Sequence, residues 1–321
     1  MIENALDTVP EFFQIWGIVV VAWLAERRFV LSRSFDPIAL FRFVCDQMAL
    51  KVLPSAQQTQ QHYISGALAL LVLLAPTITI IYILYAIASF PQVFSFLFLY
   101  LALQFSTTRK SMLTVHDALK HQKRQLAKDS LKPWVLRDTQ ALSDIGIIKA
   151  AIESFTLRLC HQQITVMFWF IIFGPVFALT YRLIYEVAQS WNIKLSKFQR
   201  FGWIAAQLSM LLQYAPIRLY ALILALLGLM QMQKDKVKRL FSLPELLYLG
   251  SGYVLLCASL SLNRHMSGAV MYESSKQRRT KYLGDMEPKL SDIKKSNEIN
   301  TYASIIILAI LLLVSWGIHA P

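Results

Sequence analysis

Residues 64–89, ISGALALLVLLAPTITIIYILYAIAS, form an apolar run that contains no Asp, Glu, Lys or Arg. A helix needs about 20 mostly apolar residues to cross the hydrocarbon layer of a bilayer, so this run predicts a membrane-spanning helix. Three further apolar runs are long enough, or nearly so, to span: 164–187, 203–230 and 302–318. Three shorter runs could span, tilt or lie at the membrane interface: 12–25, 93–106 and 246–262. We expect an all-α, polytopic membrane bundle with five to seven apolar segments.

Composition and the N-terminal charges agree with this class. Hydrophobic residues make up 56% of the 321 residues and charged residues only 16%, whereas soluble domains average about 25% charged residues. The first apolar run follows acidic residues and precedes Arg27 and Arg28. Because a signal peptide carries its positive charge before the apolar stretch, we expect an uncleaved anchor with its N-terminus outside.

The formal net charge is +13, and its distribution suggests a partner. Residues 107–163 hold ten Lys or Arg against five Asp or Glu, and basic residues collect in the cytoplasmic loops of membrane proteins. We therefore expect the lipid bilayer, and not nucleic acid, as the partner of this charge. Cys45, Cys160 and Cys257 form no CxxC pair, so they predict neither a zinc site nor a disulfide framework.

We predict one integral membrane domain over residues 1–321. Its parts are an N-terminal anchor and basic segment (1–63), a helical hairpin (64–106), an amphipathic cytoplasmic region (107–163), a membrane core (164–262), a basic loop (263–300) and a C-terminal membrane helix (301–321). Pro91 predicts the hairpin turn because proline removes a backbone donor. In the amphipathic region, an apolar stripe recurs at helical spacing: Leu142, Ile145, Ile148, Ile152 and Phe155.

The topology depends on residues 246–262. If this run crosses the membrane, the basic loop 263–300 falls outside, against the positive-inside tendency. If it does not cross, residues 230–300 stay cytoplasmic. Gly174-Pro175 lies halfway along another apolar run and could break it into a re-entrant element, which is tolerated where the backbone is packed on protein or faces a cavity.

Seven short motifs follow one another between residues 137 and 272. They are Arg137-Asp138-Thr139, Lys149-Ala150-Ala151-Ile152-Glu153-Ser154, Phe168-Trp169, Tyr181-Arg182, Phe201-Gly202, Pro216-Ile217-Arg218-Leu219 and Met266-Ser267-Gly268-Ala269-Val270-Met271-Tyr272. In their order and spacing, from about residue 105 to 310, the sequence resembles the CobD/CbiB cobalamin-biosynthesis family of membrane proteins.

The resemblance implies an activity and a location. Members are assigned as adenosylcobinamide-phosphate synthases, which use ATP to join aminopropanol, or its phosphate, to adenosylcobyric acid through an amide bond. A working member would need ATP and magnesium and would bind a corrinoid. The resemblance also implies several crossings of the inner (cytoplasmic) membrane of a bacterium.

The sequence departs from the family pattern where that pattern has carboxylates. An Asp is replaced by Ala188, an Asp-Asp pair by Ser209-Met210 and a Glu by Leu255. Magnesium takes hard oxygen ligands, and activation of an amine needs a general base within reach. The pattern therefore favours a retained fold with a degenerate active site, and an active synthase is the alternative. We assign no catalytic residue and no metal ligand.

A second resemblance supplies another alternative. The AmpE family of predicted signalling membrane proteins, linked to beta-lactamase induction and the cell wall, resembles the same superfamily. Its members begin with an apolar run that ends in Glu-Arg, as in Ala25-Glu26-Arg27 here. They also keep a segment similar to Pro216-Ile217-Arg218-Leu219. An AmpE-like regulator therefore remains open, with unknown protein partners.

Substrate-binding candidates follow from the motifs and from charge, and each has a structural alternative. The guanidinium of Arg137 offers a planar fork for phosphate or carboxylate oxygens, while a helix boundary capped by Asp138 or Thr139 is the alternative. Glu153 would bind substrate or form an ion pair. Arg218 lies within an apolar run, where charge marks a site or snorkels to the interface. The remaining candidates are Lys194, which could meet phosphates or anionic lipid, and the motif residues Gly268 and Tyr272.

Overall fold

Helices account for most of the described chain. The structure is a computed structural model that describes residues 10–30, 36–53, 59–229, 250–272, 275–277, 279, 281–282, 284 and 286–319. The α-helices, in chain order, are α1 Glu11–Arg28, α2 Pro37–Val52, α3 Thr59–Ala86, α4 Pro91–Leu103, α5 Ser106–Lys120, α6 Arg124–Leu131, α7 Asp144–Leu159, α8 Thr165–Ser190, α9 Trp203–Leu229, α10 Ser251–Leu262 and α11 Ser291–His319. The predicted all-α membrane bundle is confirmed.

Four helical stretches in the described ranges are long and apolar enough to cross a membrane. They are Gln60–Ala86, Asp144–Ser190, Trp203–Leu229 and Ser291–Ile318. The shorter predicted runs form α1, α4 and α10, which have 18, 13 and 12 residues. Residues 230–249, which include the start of the run at 246, lie outside the described residues.

Contacts divide the chain into two compact units. The first unit comprises Met1–Gln104, Thr165–Gln213 and Leu308–Pro321, and the second comprises Phe105–Ile164 and Tyr214–Ile307. In the first unit α8 packs against α1, α2, α3 and α4. The indole of Trp191 follows α8 and donates to Cys45 O on α2 at 3.0 Å. These contacts make α8 the central helix of the first unit.

A break interrupts α8, as the sequence indicates. Gly174 has φ 80° and ψ −175°, directly before Pro175. Proline cannot donate the helical hydrogen bond, and glycine adopts positive φ without the clash of a Cβ atom. The predicted break at Gly174-Pro175 is therefore confirmed.

The predicted amphipathic region forms α5, α6 and α7 in the second unit. Of the apolar stripe, Ile148, Ile152 and Phe155 are buried, whereas Ile145 is 46% exposed. Helix α7 packs against α5, α6 and α10. Its N-terminus is capped by Ser143, whose hydroxyl accepts from Gly146 N at 3.2 Å. The expected cap at residue 138 or 139 is wrong because Ser143 alone directly precedes the first turn.

The sequence predicts a basic loop over residues 263–300, but the structure shows short strands and the start of a helix there. Two antiparallel pairs of short strands occur there, β1 Met266–Ser267 with β4 Lys281–Tyr282 and β2 Val270–Tyr272 with β3 Ser275–Gln277. Helix α11 already begins at Ser291. Its polar first turns are stabilised inside the second unit, where Asp292 accepts from Arg264 Nε at 2.6 Å and from Lys289 N at 2.7 Å. The charge pattern alone predicts a loop, because the Arg264–Asp292 contact joins residues that are 28 positions apart in the sequence.

Candidate functional site

Helix α7 presents a buried carboxylate whose two oxygens both have partners. The Glu153 side chain is 3% exposed. Its Oε2 accepts from Arg137 Nη2 at 2.6 Å, and its Oε1 accepts from the backbone N of Ser267 at 2.6 Å. Three segments of the second unit therefore meet at one carboxylate.

The segment that carries Arg137 is tied to α7 by Trp134. The carbonyl of Trp134 accepts from Ser154 Oγ at 3.0 Å and from Arg158 Nη2 at 3.2 Å. The indole nitrogen of Trp134 donates to Ser111 Oγ at 2.7 Å. The guanidinium of Arg158 lies 5.2 Å from the centroid of the Trp134 ring. Arg137, three residues later, is thereby held beside the same face of α7 as Glu153.

The third segment approaches α7 through an unusual backbone. Ser267 has φ 61° and Gly268 has φ 105°. A Cβ atom built on Gly268 would lie 3.8 Å from Lys149 Nζ, so this segment passes beside the lysine one turn before Glu153. Non-glycine residues seldom adopt such φ values, which occur preferentially in ligand-binding and active sites. The conformation places the Ser267 amide on Glu153.

Basic side chains outnumber acidic ones around this point. We call Arg137, Lys149, Glu153, Ser267, Gly268 and Lys281 the Glu153 cluster. Lys281 lies beside Gly268, and its Nζ donates to Glu287 Oε1 at 3.1 Å. Slight burial of Glu287 works in the opposite direction, but the hydrogen bond and charge of Lys281, then the charges of His265 and Lys149, lower its pKa.

The cluster has the chemistry of an anion site. Among the described residues, the cluster holds the cations Arg137, Lys149 and Lys281; its carboxylate Glu153 accepts from Arg137, and the neighbouring Glu287 accepts from Lys281. The remaining cation, Lys149, is half-buried beside the Gly268 backbone. Charge-assisted hydrogen bonds from such cations suit carboxylate or phosphate oxygens of a ligand.

The same residues do not fit magnesium held by the protein. Among the described residues, no group of three His, Cys, Asp or Glu side chains is placed to hold a metal ion. Both oxygens of Glu153 accept from cation or amide donors, whereas Mg²⁺ needs oxygens that face the ion. The Glu153 cluster therefore does not have the ligands of a magnesium site.

The structure brings three sequence-predicted candidates together, namely Arg137, Glu153 and Gly268. Beside them, Asp138 is exposed and its Oδ1 accepts from Gln140 N at 2.9 Å, which forms a local turn. Thr139 is buried, and its carbonyl accepts from Leu142 N at 3.3 Å. These two residues shape the connection to α7.

The other three candidates lie elsewhere in the chain. Tyr272 is buried on β2, and its hydroxyl accepts from Arg279. Arg218 on α9 donates to Tyr214 O at 3.0 Å, and its guanidinium lies 3.3 Å from the centre of that residue's ring. Lys194 belongs to the first unit, where it is exposed in the turn after α8.

Sequence reasoning missed Lys149 and Ser267 as site residues, although both stand inside quoted motifs. The i, i+4 spacing of Lys149 and Glu153 on one helix was the available signal. It also missed a buried ion pair in the first unit. There Arg182 Nη1 lies 2.6 Å from Glu186 Oε1, and Arg42 Nε donates to Glu186 Oε2 at 2.9 Å. The pair again has i, i+4 spacing.

Ser209 and Gln213 form a hydrogen bond between neutral side chains at a position where the sequence departs from the family pattern. Ser209, at a position where the family resemblance leads us to expect an acidic residue, is buried on α9, and its hydroxyl accepts from Gln213 Nε2 at 2.6 Å. Leu255, at another such position, is buried on α10. Both positions are therefore packed without a carboxylate.

Comparison with known proteins identifies the family. The family model described as CobD/Cbib protein matches residues 19–300. Proteins called cobalamin biosynthesis protein CobD are similar to this chain: one from Chromobacterium violaceum is 31% identical over 183 residues (57% of this chain and 59% of the relative), and one from Stutzerimonas stutzeri is 36% identical over 130 residues (40% and 43%).

A third, from Leptospira interrogans, is 29% identical over 195 residues, which are 58% of this chain and 57% of that protein. The matched part of the chain thus spans between 43% and 59% of the length of these curated relatives. No solved structure matches. Since the family model covers most of the sequence, from residue 19 to residue 300, the chain belongs to the CobD/Cbib family.

Proposed function

We propose that this protein is a cobalamin-biosynthesis membrane protein that binds a corrinoid through the Glu153 cluster and has lost the ligation reaction of its family. The geometry of Glu153 supports this proposal most directly. Its two oxygens fix Arg137 and the Ser267 amide, so the cluster is organised before any ligand arrives. Such pre-organisation reduces the entropy lost on binding.

The cations identify the part of the ligand that would bind. Cobyric acid carries a free carboxylate where the family reaction forms its amide bond. In this proposal Lys149 and Arg137 contact that carboxylate, and Gly268 allows the ligand to approach the backbone closely because it has no side chain. These residues are retained in the second unit, whereas the first unit has a neutral Ser209–Gln213 contact at a position where the family resemblance leads us to expect carboxylates, and this combination favours binding without turnover.

Equilibrium dialysis of the full chain in detergent against cobyric acid, which is coloured, tests the binding. We expect saturable binding and at least a tenfold loss of affinity in Lys149→Met. The matched control is Lys123→Met, because Lys123 is an exposed lysine of the same unit. Equal affinity in the two variants, or no binding by the parent protein, would refute the assignment of the cluster.

Turnover is tested separately by complementation. A bacterium that lacks its cobinamide-phosphate synthase is supplied with cobyric acid and expresses this chain in its inner membrane. We expect no cobalamin-dependent growth. Growth would show an active synthase and overturn the proposed loss of the reaction. The dialysis experiment would still decide whether the cluster binds cobyric acid.

A second candidate function, AmpE-like regulation, is favoured by the Glu-Arg pair at the end of α1. Glu26 is only 3% exposed, and the guanidinium of Arg27 lies 4.2 Å from the ring centroid of Trp23. Deletion of the gene should then alter beta-lactam induction or the muropeptides released. Unchanged induction and unchanged muropeptides would exclude this role.

The basic residues of 107–163 support a multi-pass arrangement in the bacterial inner membrane, with that region on the cytoplasmic side. The four long apolar helices have the length for it. Fractionation should recover the protein with inner-membrane vesicles, and alkaline carbonate should not release it. Release by carbonate would argue against an integral protein.

A further inference from the structure

A small cavity lies between α5, α6 and α7 in the second unit. Its volume of about 10 Å³ admits the centre of one water molecule and little more. Besides apolar side chains, four hydroxyl-bearing residues line it: Thr108, Ser111, Ser130 and Ser154. A buried water typically forms about three hydrogen bonds, so this lining offers enough partners for one water.

The Thr108 hydroxyl on α5 is the strongest indication of a ligand in this cavity. Thr108 is only 4% exposed, and its Oγ1 has no hydrogen-bond partner within the described part of the chain. A buried hydroxyl without a hydrogen bond is costly, and ordered water commonly supplies the partner that the protein does not. The position of Thr108 in the cavity wall therefore calls for a small hydrogen-bonding ligand.

The hydrogen bonds of Trp134 leave one donor and one acceptor on two other lining hydroxyls. Ser111 Oγ accepts from Trp134 Nε1 at 2.7 Å, so its own hydrogen remains to donate. Ser154 Oγ donates to Trp134 O at 3.0 Å, so its lone pairs remain to accept. The ligand must therefore both accept and donate within a space of this size.

The charge of the lining excludes an ion as the preferred ligand. Among the described residues that line the cavity, none carries a formal charge. Burial of an ion without a charged partner is very costly, whereas a neutral ligand needs hydrogen bonds alone. Water is neutral, has the size of this cavity, and both donates and accepts hydrogen bonds.

We propose that this cavity binds one ordered water molecule, which accepts from Ser111 Oγ, donates to Ser154 Oγ and forms a hydrogen bond with Thr108 Oγ1. The water joins α5 to Trp134, whose carbonyl also accepts from Ser154 and Arg158 of α7. It is thus part of the support of the segment that carries Arg137. The proposal does not depend on corrinoid binding, because the water is held by residues outside the Glu153 cluster.

X-ray footprinting of the full chain in detergent tests the site without any added ligand. A synchrotron pulse converts water to hydroxyl radicals, and a radical formed from a bound water oxidises the side chain beside it. Met112 lines the cavity and is 4% exposed. We expect its sulfur to be oxidised roughly tenfold faster than those of Met167 and Met266, because a bound water stays beside Met112. Met167 and Met266 are the reference residues, since both are buried and neither lines the cavity.

Variants of α5 connect the oxidation to the hydroxyl. Thr108→Val replaces the hydroxyl by a methyl group of similar size and should remove most of the excess oxidation of Met112, whereas Thr108→Ser keeps a hydroxyl and should retain it. The matched control is Thr107→Val, since Thr107 is the adjacent residue of α5 and does not line the cavity. If Thr108→Val does not yield folded protein, Ser130→Ala removes another lining hydroxyl and should also lower the excess.

Three outcomes would overturn the proposal. The first is oxidation of Met112 in the parent protein at the rate of Met167 and Met266. The second is an excess that survives Thr108→Val, or Ser130→Ala where that variant is used. The third is loss of the excess when a radical scavenger is added to the bulk solvent, because bulk water, and not a bound molecule, would then be the source of the radicals.

Discussion

At the scale of single residues, two of the buried glutamates, Glu153 and Glu186, are each paired with arginine. Glu153 is paired with Arg137, and Glu186 with Arg182 and Arg42. An unpaired buried charge is very costly, so each partner depends on the other. In the second unit the pairing also fixes the backbone of Ser267.

This dependence predicts non-additive variants. Glu153→Gln should lower the free energy of unfolding by about 3 kcal/mol, because removing one partner of a buried pair costs roughly 3–5 kcal/mol and Arg137 retains some contact with water. Arg137→Met should also destabilise the protein. The double variant should be less destabilised than the sum, with a coupling energy of about 1–3 kcal/mol.

Unfolding in mixed micelles with increasing dodecyl sulfate measures all four proteins of this cycle. The exposed lysine variant Lys123→Met serves as a baseline for loss of a cation. If the free-energy changes of Glu153→Gln and Arg137→Met simply add in the double variant, the two residues do not stabilise each other. That result would contradict the proposed pre-organisation of the cluster by this ion pair.

Gly268 provides a second residue-scale prediction. Gly268→Ala should destabilise the protein by about 1–3 kcal/mol, because its φ of 105° is unfavourable for a residue with a Cβ atom. Gly317→Ala is the control, since Gly317 lies within α11 with no atom within 4 Å of its Cβ position. There alanine should stabilise by up to about 1 kcal/mol.

Melting temperatures of the two glycine variants, recorded in one detergent, should therefore shift in opposite directions. Cobyric acid binding should also weaken in Gly268→Ala alone, because the strained segment would no longer hold the Ser267 amide on Glu153. Equal shifts would mean that the backbone at Gly268 relaxes without cost.

At the scale of elements, the sequence predicted most helices from apolar length and missed those that depend on distant partners. The run at 64–89 predicted α3 because lipid requires a long apolar helix. Helix α11 begins before its apolar run, since Asn300 bonds Tyr220 and Thr156. The approach of Ser267 to Glu153 was equally hidden, because 114 residues separate them.

Glycines set the closest contacts between elements of the first unit. A Cβ on Gly66 of α3 would lie 2.0 Å from Phe201 O, and one on Gly202 would lie 1.9 Å from Trp191 O. Small residues allow helices to approach closely in membrane proteins. The motif Phe201-Gly202 therefore has a packing role that explains its place among the retained positions.

Alanine at either position should prevent this close packing. We expect Gly66→Ala and Gly202→Ala each to destabilise the protein by about 1–3 kcal/mol, the usual cost of overpacking a protein core. The cost should be larger if the obstructing backbone atoms cannot move away. The control is Gly17→Ala on α1, where no atom lies within 4 Å of the Cβ position.

Thermal unfolding of the purified proteins, together with yield from membranes, measures the difference. Gly17→Ala should match or exceed the parent protein, since alanine favours helix over glycine. A melting temperature for Gly202→Ala that equals that of Gly17→Ala would show that the turn after α8 can move away from Trp191.

At the scale of the whole molecule, contacts within the second unit bear on membrane topology. The segment with Arg137 and the segment with Ser267 both contact Glu153, and the Gly268 backbone passes Lys149. Polar segments that touch must lie on the same side of a membrane. The chain between them therefore crosses an even number of times.

In the described part of the chain between these two segments, the helices long enough to cross are α8 and α9, which give two crossings. Helix α10 has 12 residues and rises about 18 Å, too little for a hydrocarbon layer of roughly 30 Å. This favours the topology in which the basic strands at 266–282 and the start of α11 share the side of residues 107–163, in agreement with the positive-inside tendency.

Labelling of introduced cysteines tests this topology, because the native cysteines should react only weakly with the label. The three native cysteines are buried. Burial, followed by the charge of Asp46, raises the pKa of Cys45 to about 12, so little reactive thiolate forms at neutral pH. Cysteines introduced at exposed positions should then react with a membrane-impermeant maleimide far more readily than the native ones.

We expect Lys123→Cys and Gln277→Cys to be labelled only after spheroplasts are permeabilised, because both positions would face the cytoplasm. Gln199→Cys, exposed in the turn between α8 and α9, should be labelled in intact spheroplasts, since one crossing by α8 places that turn outside. Labelling of Gln277→Cys and Lys123→Cys from opposite sides would contradict the contacts around Glu153. Labelling of both from outside would keep those contacts and invert the whole molecule, so the experiment separates an error in the fold from an error in orientation.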